Sequence, residues 1–407
     1  MKILFISQYF FPENFKGNEI VYDWLAKGYE VTVLTAKPNY PKGKFYKGYS
    51  FFSKSHEKLN NLNIIRVPVI PRFSGKPYQL FLNYISFVIF SIYFIYFKLN
   101  SEFNFIFVQQ LSPITMALPA VWFKKKHPKI PLYIWILDLW PESIYSVIEF
   151  NNKFLKQLLN NLSNYIYRNS DIILISSKSF ENQIKVNLGD MNKPIYYLPN
   201  WAEIFFENHN GVKTPLQNIP LGFNIIFAGN IGEAQDFENI LNAAELTINE
   251  KINWILIGDG RKLNWVKSEI EKKKINNIYI LGSYQIEEMP AILYNADALL
   301  VTLKKSYIFN KTVPAKLQAY MALGKIILGA VDGETKDLIN NNNIGVASES
   351  GNPVLLANNA IRLKNLNKSD IIKIEMNSYD LYYSTFSKTK ILNNLNNIIK
   401  NNIKINN

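Results

Sequence analysis

The chain has 407 residues, a formal charge of +13, 48% hydrophobic residues and no cysteine. That length and apolar content admit two or three domains with proper cores. The absence of cysteine excludes thiol catalysis, disulfides and thiolate metal sites, and three scattered histidines (His56, His127, His209) leave no cluster to hold zinc.

The positive charge occurs in small groups such as KKKHPK (124–129) and EKKKINN (271–277), which read as solvated helix ends. This argues against a nucleic-acid partner and leaves attraction to an anionic membrane surface open. The opening MKILFISQYF has an apolar run too short for a signal-peptide core and reads as a buried first strand, which makes the cytoplasm the default compartment.

Short β-branched runs alternate with helical patterns. Strands are predicted at 3–7, 30–35, 63–69, 104–108, 132–137 and 171–176, then at 224–229, 253–258, 277–282, 297–302 and 325–330. Strands separated by helices form βαβ units and parallel sheets, and two such series predict two domains. The boundary falls in the Pro-, Asn- and Gly-rich stretch 198–223, giving domains of 1–200 and 201–370. A helical tail at about 371–400 is expected to pack back on the first domain. Ligands of such sheets sit beyond the carboxyl ends of the strands, so a cleft between two facing domains is the default site.

The first loop, SQYFFPENFKGNEI (7–20), has a single glycine, Gly17, which excludes a three-glycine dinucleotide fingerprint. Lys16 and Asn18 stand where a helix should start and could donate to phosphate or sugar hydroxyls; an ordinary loop fits equally well. The stretch 78–97 is twenty residues without a charge, long enough to span a bilayer. It lies between two strands of one sheet, however, and reads as a buried crossover helix or as a helix docking its outer face on a membrane, helped by RFSGK (72–76).

The strand LYIWIL ends in Asp138, Trp140 and Glu142, a carboxylate beside an aromatic platform that suits a sugar; helix capping is the plain alternative. In the second half, AGNIGEAQ, LIGDG and LGSYQ place glycines at three strand ends, where backbone amides can approach a ligand closely. FNKTVPAKLQAYMALGK (309–325) predicts a helix capped by Thr312 with Pro314 in its first turn, and Lys311 and Lys316 stand at its start, where cations are disfavoured. Lys316 and the following VDGE turn would converge on a diphosphate pocket.

At QYFFPEN, LTAKPNYPKGKFYKGY, LSPITMALPA, DLWPES, YLPNWAE, AGNIGEAQ, LIGDG, TVPAKLQAYMALGK and AVDGE, the chain resembles the retaining family 4 glycosyltransferases, and among them the WbuB-like bacterial polysaccharide enzymes. The resemblance implies an α/β fold with two Rossmann-like domains facing across a cleft, the GT-B arrangement. It implies metal-independent transfer, with retained configuration and no cofactor, from a nucleotide-diphosphate sugar to a lipid-linked saccharide of the undecaprenyl pyrophosphate type. UDP and an N-acetylated deoxyhexose such as FucNAc are the implied donor parts. O-antigen lipopolysaccharide or capsule is the implied product, made by an enzyme peripheral on the inner face of the cell membrane.

Carried over by position, Tyr284 meets the base, Gly229, Asn230 and Lys316 the diphosphate, and Asp332, Gly333 and Glu334 the sugar or phosphate. Gln235, Gly258 and Asp259 complete the donor set. Asp138, Lys316 and Glu334 are the catalytic candidates, with Lys16, Asn18, Trp140 and Glu142 toward the acceptor. The family's Arg and Lys after the first strand of this domain are replaced by Asn230 and Gln235, and its two glutamates by Lys311 and Ala319. We expect Lys316 to replace the missing diphosphate cation, because burying a diphosphate without one is expensive. The rival readings are a nucleotide-sugar 2-epimerase and a non-catalytic transferase-like subunit.

Overall fold

The computed structural model describes residues 1–53, 55–99, 102–145, 152–217 and 219–405. Two compact units divide it, Met1–Leu198 and Pro199–Asn407.

The first unit is built on eight strands: β1 (Lys2–Ile6), β2 (Glu30–Ala36), β3 (His56–Leu59), β4 (Leu62–Val67), β5 (Phe105–Gln110), β6 (Leu132–Ile136), β7 (Ile172–Ile175) and β8 (Ile195–Tyr197). Their order is β3-β4-β2-β1-β5-β6-β7-β8, and every pairing is parallel except that of β3 with β4. Strands β5 and β6 are buried along their whole length. A parallel sheet covered on both faces requires such continuous apolar runs. That is why these strands stand out in the sequence.

The helix Pro77–Phe97 connects β4 to β5. Those strands run parallel in one sheet, on opposite sides of the β2–β1 pair. The helix is therefore a crossover helix; its inner side, with Asn83, Ser86, Phe87, Ser91, Phe94 and Ile95, is buried. Its outer side is open to solvent, so burial is only half of the description that the sequence suggested.

The second unit has six strands: β9 (Phe223–Ala228), β10 (Ile252–Ile257), β11 (Ile278–Gly282), β12 (Ala298–Thr302), β13 (Ile327–Ala330) and β14 (Gly345–Ser348). All are parallel, in the order β11-β10-β9-β12-β13-β14. This is the doubly wound order, in which the chain turns from one half of the sheet to the other between β9 and β12. Phe227, Trp254, Leu256 and Leu328 fill its core, and the Trp254 indole N–H donates to Thr247 Oγ1 at 2.9 Å.

Three strands escape the sequence reading. HEKL (β3) has no apolar pattern, IYY (β8) is three residues long, and GVAS (β14) is short and begins with glycine. Each lies at a sheet edge, where half the partners are missing and the demand for continuous apolar residues is weakest.

The C-terminal segment forms helices Lys368–Leu381 and Lys388–Ile405 with a π-helical turn, Tyr382–Phe386, between them. That turn holds the irregular segment at the start of the unit. The Tyr382 hydroxyl donates to Glu207 Oε1 at 2.7 Å and accepts from Ala202 N–H at 3.1 Å. Lys388 N–H donates to the same Glu207 oxygen at 2.8 Å, and the Tyr383 hydroxyl to the Glu207 carbonyl at 3.0 Å. Tyr382→Phe leaves Glu207 and the Ala202 amide short of a partner. It should lower the unfolding free energy in urea by about 1–3 kcal/mol; an unchanged midpoint would show that this hydroxyl carries no weight.

Candidate functional site

In a doubly wound sheet the crevice opens at the carboxyl ends of the strands, at the point where the order reverses. In the second unit a cavity of about 300 Å³ opens there. Its floor is Ala228 and Gly229 at the end of β9 and Ile257 and Gly258 at the end of β10, and Ser283 and Tyr284 follow β11. Ala315, Lys316, Ala319 and Tyr320 of the helix Ala315–Ala322 form one wall, and Glu203 and Phe206 contribute from the segment held by Tyr382.

Two of these positions admit only glycine. Gly229 has φ +136° and Gly258 φ +139°, and a Cβ on Gly258 would lie 1.9 Å from the Gly229 carbonyl oxygen. The turns after β9 and β10 thus pack backbone on backbone, with Gly229 N–H donating to Ile257 O at 2.9 Å and Gly258 N–H to Gly282 O at 2.7 Å. The Tyr320 hydroxyl accepts from Ala228 N–H at 3.1 Å and ties the helix to this floor.

Lys316 is the second residue of its helix, for which Pro314 is the N-cap. The sequence reading put the start earlier, at Thr312. Instead Thr312 closes a short 3-10 turn, Phe309–Lys311, and its hydroxyl donates to Ile308 O at 2.9 Å. The Lys316 side chain runs inward. Its Nζ donates to Gln235 Oε1 at 2.8 Å and lies 3.9 Å from the centroid of the Phe227 ring. Burial pushes this ammonium down to about 7. Among the described residues no acidic side chain counters that effect, and the positive end of the helix dipole acts in the same direction. The expectation set Lys316 beside the 332–334 turn; its hydrogen bond goes to Gln235. An amide oxygen and a ring face are weak partners for a cation, whereas an anion in the cavity would raise its affinity for the proton.

Of the expected donor residues, Gly229, Gly258, Tyr284 and Lys316 line the cavity. Gln235 stands behind Lys316, and its carbonyl accepts from Thr302 Oγ1 at 2.7 Å. Asn230 and Asp259 are exposed beside the floor, the Asp259 carboxylate accepting from Gly260 N–H at 2.7 Å. Asp332 is the N-cap of helix Gly333–Asn341, with Glu334 in its first turn. Gly333, with φ +59°, would place a Cβ 1.9 Å from Asn310 O, so this turn packs on the 309–312 segment. Among the described residues Asp332, Gly333 and Glu334 do not line the cavity. Lys311 donates to the Tyr307 hydroxyl at 2.7 Å. Ser283, a neighbour of Tyr284, lines the cavity with it, whereas Glu203 and Phe206 were missed; they lie in a segment without periodicity, where only the fold brings them to the wall.

In the first unit, Asp138 follows β6, accepts a hydrogen bond from the Ser112 hydroxyl, and has its carboxyl pushed above the ordinary range by burial. Trp140 is only 6% exposed, and its carbonyl accepts from the Tyr167 hydroxyl at 3.4 Å. It is a core residue, which corrects the expectation of an open aromatic platform. Glu142 is half-buried at the start of the short helix Glu142–Tyr145. Lys16 pairs with Glu19 at 3.5 Å, and Asn18 is buried, donating to the Glu13 carbonyl at 2.7 Å.

Glu13 also went unnoticed in the sequence. It is 1% exposed, accepts from Asn39 N–H (2.8 Å) and Tyr40 N–H (2.7 Å) on one oxygen, and is pushed up to about 7 by burial. Among the described residues no cluster of His, Cys, Asp and Glu could hold a metal ion.

Glycine turns at the switch point with a buried ammonium beside them suit a phosphorylated ligand. Residues 220–374 match the family "Glycosyl transferases group 1". The matched stretch covers β9 to β14 and both glycine turns.

Two bacterial relatives carry provisional names. The glycosyltransferase WbjE of Pseudomonas aeruginosa is 29% identical over 235 residues, 55% of this chain and 58% of that protein, so little more than half of its length is spanned. The colanic acid biosynthesis glycosyl transferase WcaI of Escherichia coli (strain K12) is 24% identical over 347 residues, 80% of this chain and 82% of that protein. The crystal structure of Anabaena HepE in complex with UDP superposes with a TM-score of 0.68 at 14% identity, covering 98% of this chain and 100% of that one. This likeness shows the shared fold, two Rossmann-like domains of the GT-B class.

The buried lysine of the second unit gives a signed stability prediction. Its affinity for protons is lower in the folded state (about 7) than at its ordinary value of 10.5. The unfolded chain therefore binds more protons between these values, and stability rises with pH across that window. Lys316→Met removes the titration. Its stability advantage over the parent should be largest below pH 7 and shrink toward pH 9 in urea titrations. A difference independent of pH would contradict the buried ammonium.

Proposed function

We propose that the chain is a glycosyltransferase moving a sugar from a nucleotide diphosphate to a lipid-linked saccharide in bacterial surface-polysaccharide synthesis. The observation that carries this reading is the Lys316 ammonium, set beside the Gly229 and Gly258 turns in a cavity of about 300 Å³. The family match over residues 220–374, the UDP held by HepE and the names of the two relatives support it.

In this reading the diphosphate lies over the glycine turns, where no Cβ obstructs the backbone. The Tyr284 ring, exposed at the cavity wall, receives the base. Lys316 stabilises the charge that develops on the departing diphosphate, taking the place of the Arg and Lys that Asn230 and Gln235 replace. Transfer proceeds with retention, a donor phosphate oxygen accepting the acceptor's proton on the same face. UDP and an N-acetylated deoxyhexose such as FucNAc are the donor parts, an undecaprenyl-type lipid carries the acceptor, and the enzyme works at the inner face of the membrane.

Donor binding raises the proton affinity of Lys316, so at pH 8 the complex takes up a proton. The donor dissociation constant should rise by up to about tenfold per pH unit above 7. At pH 7, Lys316→Ala should raise it at least ~10-fold, about 1.4 kcal/mol, and abolish the pH slope. Calorimetry with UDP-sugars in buffers from pH 7 to 9 checks both, and an unchanged constant removes Lys316 from the site. If Asp138 takes the acceptor's proton in place of the phosphate oxygen, Asp138→Asn should lower the turnover number by about 10²–10⁴; retained turnover excludes that role.

A further inference from the structure

We propose that the outer face of the helix Pro77–Phe97, together with the basic loops at its start, seats this chain flat on an anionic phospholipid bilayer. The proposal deepens the reading of a transferase for lipid-linked saccharides by naming the surface that would meet the membrane. The polarity of the helix is inverted relative to a soluble crossover helix. Asn83, Ser86 and Ser91 are on the buried side, whereas Phe81, Leu82, Ile89, Ile92, Tyr93 and Phe97 face outward. Recurrence at steps of three and four residues makes these one stripe along the helix. Two neighbouring loops extend it. Phe52 is 92% exposed next to Phe51, whose ring packs on Phe90 at 5.5 Å, and Phe73 is exposed between Arg72 and Lys76.

Charge identifies the occupant. Residues 31–101 contain ten Lys and Arg and a single acid, Glu57, a formal +9 out of the chain's +13. Lys42, Lys44 and Lys47 lie on a loop that packs against the start of the helix: Phe73 N–H donates to Gly43 O at 2.9 Å and Arg72 N–H to Asn39 Oδ1 at 3.2 Å. Lys76 is the helix N-cap. At the other end Lys98 and Lys126 are exposed beside tyrosines, with Lys126 Nζ donating to Tyr96 O at 3.2 Å.

An apolar stripe with tyrosines toward its ends and lysines beyond them matches a bilayer interface, where aromatic rings sit at headgroup level and lysines reach anionic phosphates. A protein partner fits less well, since lysine is depleted in the cores of such interfaces. A membrane span is excluded by the sheet, because the buried side of the helix packs inside the unit and both flanking strands are parallel in it.

The test is co-sedimentation of the purified full chain with phosphatidylcholine vesicles, with and without phosphatidylglycerol. The expected result is binding to the mixed vesicles, weakened at least ~10-fold by molar salt or by Lys42→Gln/Lys44→Gln/Lys47→Gln/Lys76→Gln. Phe81→Asp/Ile89→Asp/Tyr93→Asp, on an exposed face, should lose a similar factor without a change in melting temperature.

The proposal is overturned by an absence of binding to mixed vesicles, by variants that bind like the parent, or by a dimer in sedimentation velocity that the aspartate variants dissociate. If those variants do not fold, Tyr93→Ser alone supplies the same comparison. Neither donor nor acceptor enters the assay. Failure here leaves the donor reading standing, and failure of calorimetry at Lys316 leaves this surface standing.

Discussion

A lysine ammonium whose near neighbours are one amide oxygen and one ring face is the constraint around which the second unit is arranged. Burying a charge without an opposite charge is unfavourable, and proteins answer by pairing it or by giving up the proton. Here the second response operates in the free chain, where Lys316 is pushed down to about 7. The surroundings that cause this are the ones that make an anion welcome. The glycine turns keep side chains out of the cavity floor, the helix presents its positive end, and the bond from Ala228 N–H to the Tyr320 hydroxyl fixes helix to floor.

Much of this fold is readable from sequence because parallel strands must be apolar on both faces, so β1, β5, β6, β9, β10 and β12 announce themselves as short unbroken runs. Edge strands have no such obligation. Lys316 stands out by residue type: a cation at a helix start is anomalous wherever it points. Its direction was not readable, since Gln235 and Phe227 approach it from a different part of the chain. Trp140 shows the converse error. A tryptophan after a strand suggests a sugar platform, but only the packing around it decides whether its face is open.

The first unit places polar side chains at the carboxyl ends of its strands, as the second does, but hides them. Gln8 donates to Asn83 Oδ1 at 2.8 Å, Asn83 to Ile70 O at 2.6 Å, and Arg72 reaches the Tyr9 hydroxyl at 3.1 Å. Buried networks of this kind are favourable only when their members are satisfied. Asn83 explains one oddity of the long crossover helix: its polar residues face inward because the loops above the strands need partners there. The apolar residues are then left to face outward.

The bonds from Tyr382, Tyr383 and Lys388 to Glu207 have a consequence in time. They hold the segment that brings Glu203 and Phe206 to the cavity wall, and they come from the last thirty or so residues of the sequence given. Chains fold as they emerge from the ribosome, N-terminal parts first. The glycine turns and Lys316 can therefore be in place while the wall opposite them still waits for residues not yet translated. Completion of the pocket in this way waits for residues 382–388, which are made after the glycine turns and Lys316.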